Sequence, residues 1–154
     1  MPELSVREAL TEADWDQVRA VRQRVFVEEQ ACPPELEWDA PDAPARRGVD
    51  VHHLIAAEGG RTVGVARWRA VERGGEVWAK LERFAVLPEA RGRGVARALV
   101  ADALARARAA GHRRFVLHAQ AYLQAFYASA GFGVVGSPFH EAGIEHVKMT
   151  LTDA

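Results

Sequence analysis

The chain changes hydrophobic period several times, and each change marks an element. Trp15, Val18, Val21, Val25 and Phe26 recur at helical spacing. Thr11 stands three residues before Asp14, the offset of a capping box with Asp in place of Glu. The pattern predicts one or two helices from Asp14 to about Gln30, stopped ahead of Pro33-Pro34. Residues 33–48, PPELEWDAPDAPARRG, hold four of the seven prolines and read as a loop.

The period then shortens to two. VHHLIAAE (51–58) and RTVGVARWRAV (61–71) flank Gly59-Gly60 as the arms of a hairpin. EVWAKLERFAVLP (76–88) continues the meander until Pro88 ends it. Helical spacing returns from about Val95 to Ala110, with Gly111 in the C-cap place and Arg106 and Arg108 suiting the last turn. RFVLHA (114–119) reads as a short apolar strand and AYLQAFYASA (121–130) as a second helix closed by Gly131. The remainder, FGVVGSPFHEAGIEHVKMTL, reads as two short strands around a loop with Gly and Pro. Helices interleaved with strands predict an α/β or α+β fold on a single sheet. Residues 76–119 form a crossover candidate with a glycine turn at the carboxyl end of its first strand, where ligands collect in open sheets.

Composition narrows the classes. At 154 residues a single domain over 1–154 is expected, and 49% hydrophobic with 27% charged residues is ordinary for a globular protein. A net charge of -1 gives no global attraction to nucleic acid or anionic lipid. Cys32 is the sole cysteine, which excludes an intrachain disulfide and points to a reducing compartment. The amino terminus lacks an apolar core behind a basic head, and no apolar run approaches the ~20 residues of a bilayer span, so a cytoplasmic location is expected.

The turn lies in PEARGRGVARALV (88–100), where two glycines and three arginines open a helix. Free amides at a helix start, the positive dipole end and nearby arginines make an anion site suited to phosphate. A tight turn with solvated arginines is the plain alternative. The dinucleotide fingerprint fails at its last glycine, and no Gly-Lys-Ser/Thr triplet supports a P-loop.

The setting of the turn goes further. Arg91-x-x-Gly94-x-Ala96 follows LERFAVLP and precedes AFYASAGF (125–132). This combination resembles the GNAT acyltransferase superfamily. RQRVFVEEQACPPELEWD and FHEAGIEHVKM are similar to its ElaA-like branch, so the resemblance spans nearly the whole chain. It implies a mixed, mostly antiparallel sheet flanked by helices, and direct transfer of an acetyl group from acetyl-CoA to an amine. The co-substrate would be held by Arg91, Gly92, Arg93, Gly94, Val95 and Ala96 at its pyrophosphate and by Phe84, Ala85 and Val86 along its pantetheine arm. Gln120 stands where many relatives place asparagine. No metal, nucleic acid or membrane is implied, and a homodimer is an expectation from the same resemblance.

The chemistry needs a base, because an amine of pKa near 10.4 is charged at neutral pH. Glu82 is the first choice; its pleat puts it with Lys80 and Phe84. The competing reading pairs it with Arg67 or Arg69 on the adjacent strand. Glu141 and His146 are the next candidates. Adjacent His52 and His53 face opposite ways, so one of them could line the site. Tyr127 matches the tyrosine that gives a proton to the departing thiolate in many relatives. Cys32 has carboxylates around it and reads as structural or as lining the acceptor pocket. Glu28, Glu29, Glu35, Glu37, Asp39 and Asp42 beside Trp38 form an acidic cluster that would attract a cationic amine or stay a solvated loop. An acyl-CoA sensor without turnover and a nucleic-acid binder complete the alternatives.

Overall fold

The computed structural model describes residues 3–154. One sheet of seven strands carries the fold, in the order β1-β2-β3-β4-β5-β7-β6. The strands are β1 (Leu4–Glu8), β2 (Val51–Glu58), β3 (Arg61–Arg73), β4 (Glu76–Val86), β5 (Arg114–Gln120), β6 (Gly133–Glu141) and β7 (Ile144–Thr152). β1 lies outside the elements expected from the sequence. Its five residues, LSVRE, alternate in burial over too short a stretch to announce a strand, and pairing with β2 from Leu54 to Glu58 stabilises them.

Helix α1 (Glu12–Arg22) begins two residues earlier than its hydrophobic pattern suggests. The capping box explains the start. Thr11 Oγ1 accepts from the Asp14 amide at 3.0 Å, and the Asp14 carboxylate accepts from the Thr11 amide at 3.2 Å. The helix runs on as a π-helical stretch, Gln23–Glu29. Such wide turns often accompany functional sites, and this one turns Phe26, Glu29 and Gln30 toward the cleft described below.

Helices cover both faces of the sheet. α3 (Val95–Ala109) packs Leu99, Ala103 and Ala107 with Leu54, Leu81 and Phe115 on one face. α1 packs Trp15, Val18 and Val21 with Ile55, Val65 and Leu87 on the other. Gly64 sets the approach of α3: a Cβ there would sit 2.8 Å from Val95 Cγ1 and 3.2 Å from the Ala85 carbonyl oxygen. Gly64→Ala is expected to push the first turn of α3 outward and cost about 1–3 kcal/mol. A lowered urea midpoint would register the cost, and an unaltered one would mean that α3 is not seated by this contact.

The proline-rich stretch 33–48 is more ordered than a loop. It holds a short helix α2 (Pro34–Glu37) and two 3-10 turns, and it delivers acidic groups into the interior. Arg22, fully buried, donates from Nε to Glu37 at 2.6 Å and from Nη1 to Asp42 at 2.7 Å. Arg67, 1% exposed, donates from Nη1 to Asp39 at 2.7 Å and to Asp42 at 2.9 Å. Half of the acidic cluster is thereby committed: Glu37, Asp39 and Asp42 neutralise buried arginines.

The last helix is shorter than 121–130, with a 3-10 turn at Ala121–Leu123 and then α4 (Gln124–Ser129). The closing strands are longer than expected, nine residues each, and turn at Ala142-Gly143. Both turn residues have positive φ, 52° and 78°, which matches the twist of a two-residue hairpin. Gly136-Ser137-Pro138 is a bulge within β6, between the pairs Val135↔Lys148 and Phe139↔His146.

Candidate active site

Among the described residues β4 and β5 are the one parallel pair of strands, and their register holds only at Ala79↔Phe115 and Lys80↔Val116. β4 continues to Val86 and β5 to Gln120 without further pairing, so the sheet splits toward the carboxyl ends of these strands. A cleft of about 910 Å³ occupies the split. Its volume suits a cofactor-sized ligand.

The wall on the β4 side carries a second irregularity. Val65 faces Ala85 and Arg67 faces Glu82, so two residues of β4, Arg83 and Phe84, stand against one of β3. Arg83 takes φ 57°, rare for a side-chain-bearing residue. Nη2 of Arg83 donates to the Glu37 carbonyl at 3.2 Å and to Asp39 at 3.1 Å, which holds the bulge in place. Past it, Ala85 and Val86 pair with Val65 and Gly64 of β3, and the strand's other edge, Phe84 included, faces the cleft.

The glycine turn closes one end of the cleft. Gly92 (φ 78°) and Gly94 (φ 83°) are left-handed, and a Cβ on either would meet nothing within 4 Å. The amides of residues 92–97 donate to no backbone carbonyl, and the first turn of α3 points them outward. Two of the three arginines are occupied. Arg91 grips Glu29 through both terminal nitrogens at 2.7 Å and donates from Nε to the Val86 carbonyl at 3.0 Å. Arg93 donates to Glu58 at 2.6 Å. Arg97, which the motif alone does not single out, lines the cleft from the first turn of α3. At the opposite lip, Gln120 donates to Gln30 Oε1 at 3.0 Å.

Tyr127 lines the cleft from α4, its ring edge-on to Phe84 at 6.0 Å and to Phe126 at 5.0 Å. Burial pushes its phenol pKa up. Cys32 also lines the cleft, and burial raises its thiol, so it is no ready nucleophile.

Glu82 lines the cleft but is committed elsewhere. Its Oε2 accepts from Arg67 Nε at 2.7 Å and Arg69 Nε at 2.9 Å, and Lys80 Nζ lies 3.6 Å from Oε1. Burial alone would raise its pKa; the arginines outweigh burial and hold it at about 2. A carboxylate so stabilised accepts protons poorly near neutrality. The pairing with Arg67 and Arg69, the competing expectation, is the one observed. His52 and His53 both lie away from the cleft. His52 stacks on Trp68 at 4.3 Å and pairs with Glu8, while His53 is buried beside Trp15 with its pKa pushed down to about 4 by burial.

Glu141 and His146 do meet in the cleft, together with His118, a residue the sequence reading passed over. Glu141 stands between the two imidazoles, Oε1 at 3.6 Å from His118 Nδ1 and Oε2 at 3.7 Å from His146 Nε2. The signal for His118 was present: in RFVLHA it is the one polar residue after Arg114, toward the carboxyl end of an apolar strand.

A sheet split beside a glycine-lined helix start makes a cleft suited to a phosphate-bearing cofactor. The family described as "Acetyltransferase (GNAT) domain" matches residues 36–153, and the chain belongs to it. YjcF of Bacillus subtilis, named an uncharacterized N-acetyltransferase, is 36% identical over 84% of this chain and 86% of its own. An acyl-CoA N-acyltransferase from Pseudomonas aeruginosa superposes with a TM-score of 0.83 at 30% identity, covering 99% of this chain and 100% of that one. Escherichia coli ElaA gives 0.80 at 27% identity, covering 98% and 99%. Among the described residues no helix is long and apolar enough to cross a membrane, and no group of side chains is arranged to hold a metal ion.

Proposed function

We propose that the protein moves an acetyl group from acetyl-CoA to a primary amine of a small molecule or peptide, with both substrates bound at once. The row of unengaged amides at 92–97 carries this reading. They stand at the positive end of α3, over glycines that leave space for a ligand to touch the backbone, as a pyrophosphate requires. The cleft-facing edge of Phe84–Val86, on which Arg91 already meets the Val86 carbonyl, offers strand-like hydrogen bonds to a pantetheine arm, and Gln120 and Gln30 supply side-chain amides at the other lip.

Acetyl-CoA brings an activated thioester carbonyl; the chain has to polarise it, free the amine of a proton and protonate the thiolate. Backbone amides beyond the bulge, from Phe84 to Val86, serve the first need. Tyr127 serves the last. Its raised pKa keeps the phenol protonated, and a thiolate equally short of water is raised along with it. For the amine, the imidazole–carboxylate cluster around Glu141 is better placed than the arginine-bound Glu82. A cationic amine yields two protons overall: one replaces the proton given by Tyr127, and the other leaves through the base to solvent.

The test is incubation with acetyl-CoA and a panel of amines (a polyamine, a lysine peptide, a simple aliphatic amine) while free thiol is followed. Release with at least one amine is expected. No release with any of them, despite tight coenzyme binding, would replace this reading by an acyl-CoA sensor without turnover. Tyr127→Phe is expected to lower kcat by about 10²–10⁴-fold and leave acetyl-CoA affinity as it was. Equal loss in both quantities would make Tyr127 a binding or packing residue.

A further inference from the structure

We propose that His118 is the proton acceptor for the incoming amine, with Glu141 as the carboxylate that orients it. The proposal rests on the acyl-transfer reading above and deepens it.

Three carboxylate or imidazole groups line the cleft near its β5–β7 wall, and their geometry separates them. His146 Nδ1 lies 2.7 Å from the Ile144 carbonyl oxygen, so Nδ1 carries a proton and donates it there. Its other nitrogen, Nε2, faces Glu141 3.7 Å away. That nitrogen meets a carboxylate instead of a substrate. His118 is arranged the other way round. Its Nδ1 is sealed from solvent and has no hydrogen-bond partner within normal distance; the nearest acceptor is Glu141 Oε1 at 3.6 Å. A buried N–H calls for an acceptor, so Nδ1 is the protonated nitrogen and Glu141 its counterpart. Nε2 is not among the sealed atoms, and the ring lines the cleft. The lone pair on Nε2 is thus left for a proton from outside, the division of labour of an imidazole backed by a carboxylate.

The packing around the pair holds it in register. Phe139 meets His118 edge-on at 5.1 Å and stacks on His146 at 5.9 Å. Lys148 stands opposite His118 on β7, and β4 contributes Lys80 and Glu82, the latter already bound to Arg67 and Arg69. Glu141 is the carboxylate among these that no arginine holds; His118 beside it is the main reason its pKa is lowered.

In the step itself the cationic amine gives one proton to Nε2. The nitrogen's pair then forms the C–N bond as the C–S bond breaks, and the sulfur's new pair takes the Tyr127 proton. The nitrogen's surplus proton restores Tyr127, and Nε2 releases its own to solvent. Net products are the acetylated amine, the free thiol and one proton.

His118→Asn tests the assignment, because its side-chain amide can still donate where Nδ1 did but nothing replaces Nε2. Expected is a fall in kcat of at least about a hundredfold with unchanged acetyl-CoA affinity by calorimetry. The acid limb of the kcat/KM pH profile should also change shape, with the variant's rate simply following the free-amine fraction. His118→Gln, which puts a non-basic amide near the Nε2 place, carries the same expectation if the first variant folds poorly. Wild-type rate in either variant, or a lowered rate with the same acid limb, would overturn the role of His118 alone. Wild-type protein that releases no thiol with any amine would overturn the acyl-transfer reading and this inference together.

Discussion

Gly94→Val is expected to weaken coenzyme A binding by about a hundredfold or more, the loss of two charge-assisted hydrogen bonds at roughly 1.5–3 kcal/mol each. Two effects act at this position and must be separated. One is strain: Gly94 has φ 83°, and a β-branched residue is forced there at a cost of about 1–2 kcal/mol. The other is obstruction, because the new side chain fills the empty space in front of the amides of residues 92–97. Gly75 provides the control. Its φ of 81° is nearly the same, and a Cβ there also meets nothing within 4 Å, but it lies in the β3–β4 turn away from the cleft. Gly75→Val should lose similar stability and no coenzyme affinity. If Gly94→Val binds coenzyme A as the parent does by calorimetry, the amide row is not the pyrophosphate cradle.

Arg67→Met is expected to be the most destabilising single change, by about 3–5 kcal/mol. The side chain is 1% exposed and answers Asp39, Asp42 and Glu82 at once. Its removal leaves buried carboxylates facing one another, which costs far more than the pair itself contributes. The pH dependence has a definite sign. Glu82 has a folded pKa of about 2 against an ordinary 4.5, so its ionised form adds stability above 4.5 that is lost as pH falls through about 2. Without Arg67 the buried carboxylates bind protons more readily, and mild acid relieves the variant's excess charge. The deficit against the parent, from urea unfolding followed by tryptophan fluorescence, should therefore be largest at neutral pH and shrink in mild acid. A deficit that ignores pH would assign the effect to lost packing around the arginine stem.

The sequence carried some of this and hid the rest for identifiable reasons. The capping box at Thr11, the meander of β2 to β4 and the glycine turn at 92–94 depend on local chemistry, which hydrophobic period and glycine placement report directly. β1 stayed hidden because five residues cannot establish a period. The π-helical stretch at Gln23–Glu29 keeps its apolar residues near helical spacing, so it reads as ordinary helix. Glu82 lay between two legible alternatives; only the third dimension brings Arg67, Arg69 and Lys80 around one carboxylate. The cluster of His118, Glu141 and His146 joins three strands, and contact between strands is what a one-dimensional pattern omits.

The two register pairs between β4 and β5 have a mechanical meaning as well. Ala79↔Phe115 and Lys80↔Val116 are the only strand pairing that ties a four-stranded half to a three-stranded half among the described residues. Unpaired strand edges elsewhere in proteins invite other chains. Here the open edge lies inside the molecule, in a gap walled by the π-helical stretch, α3 and α4. The edge strand is thus covered by the chain's own helices and is not left on the outer rim of the sheet.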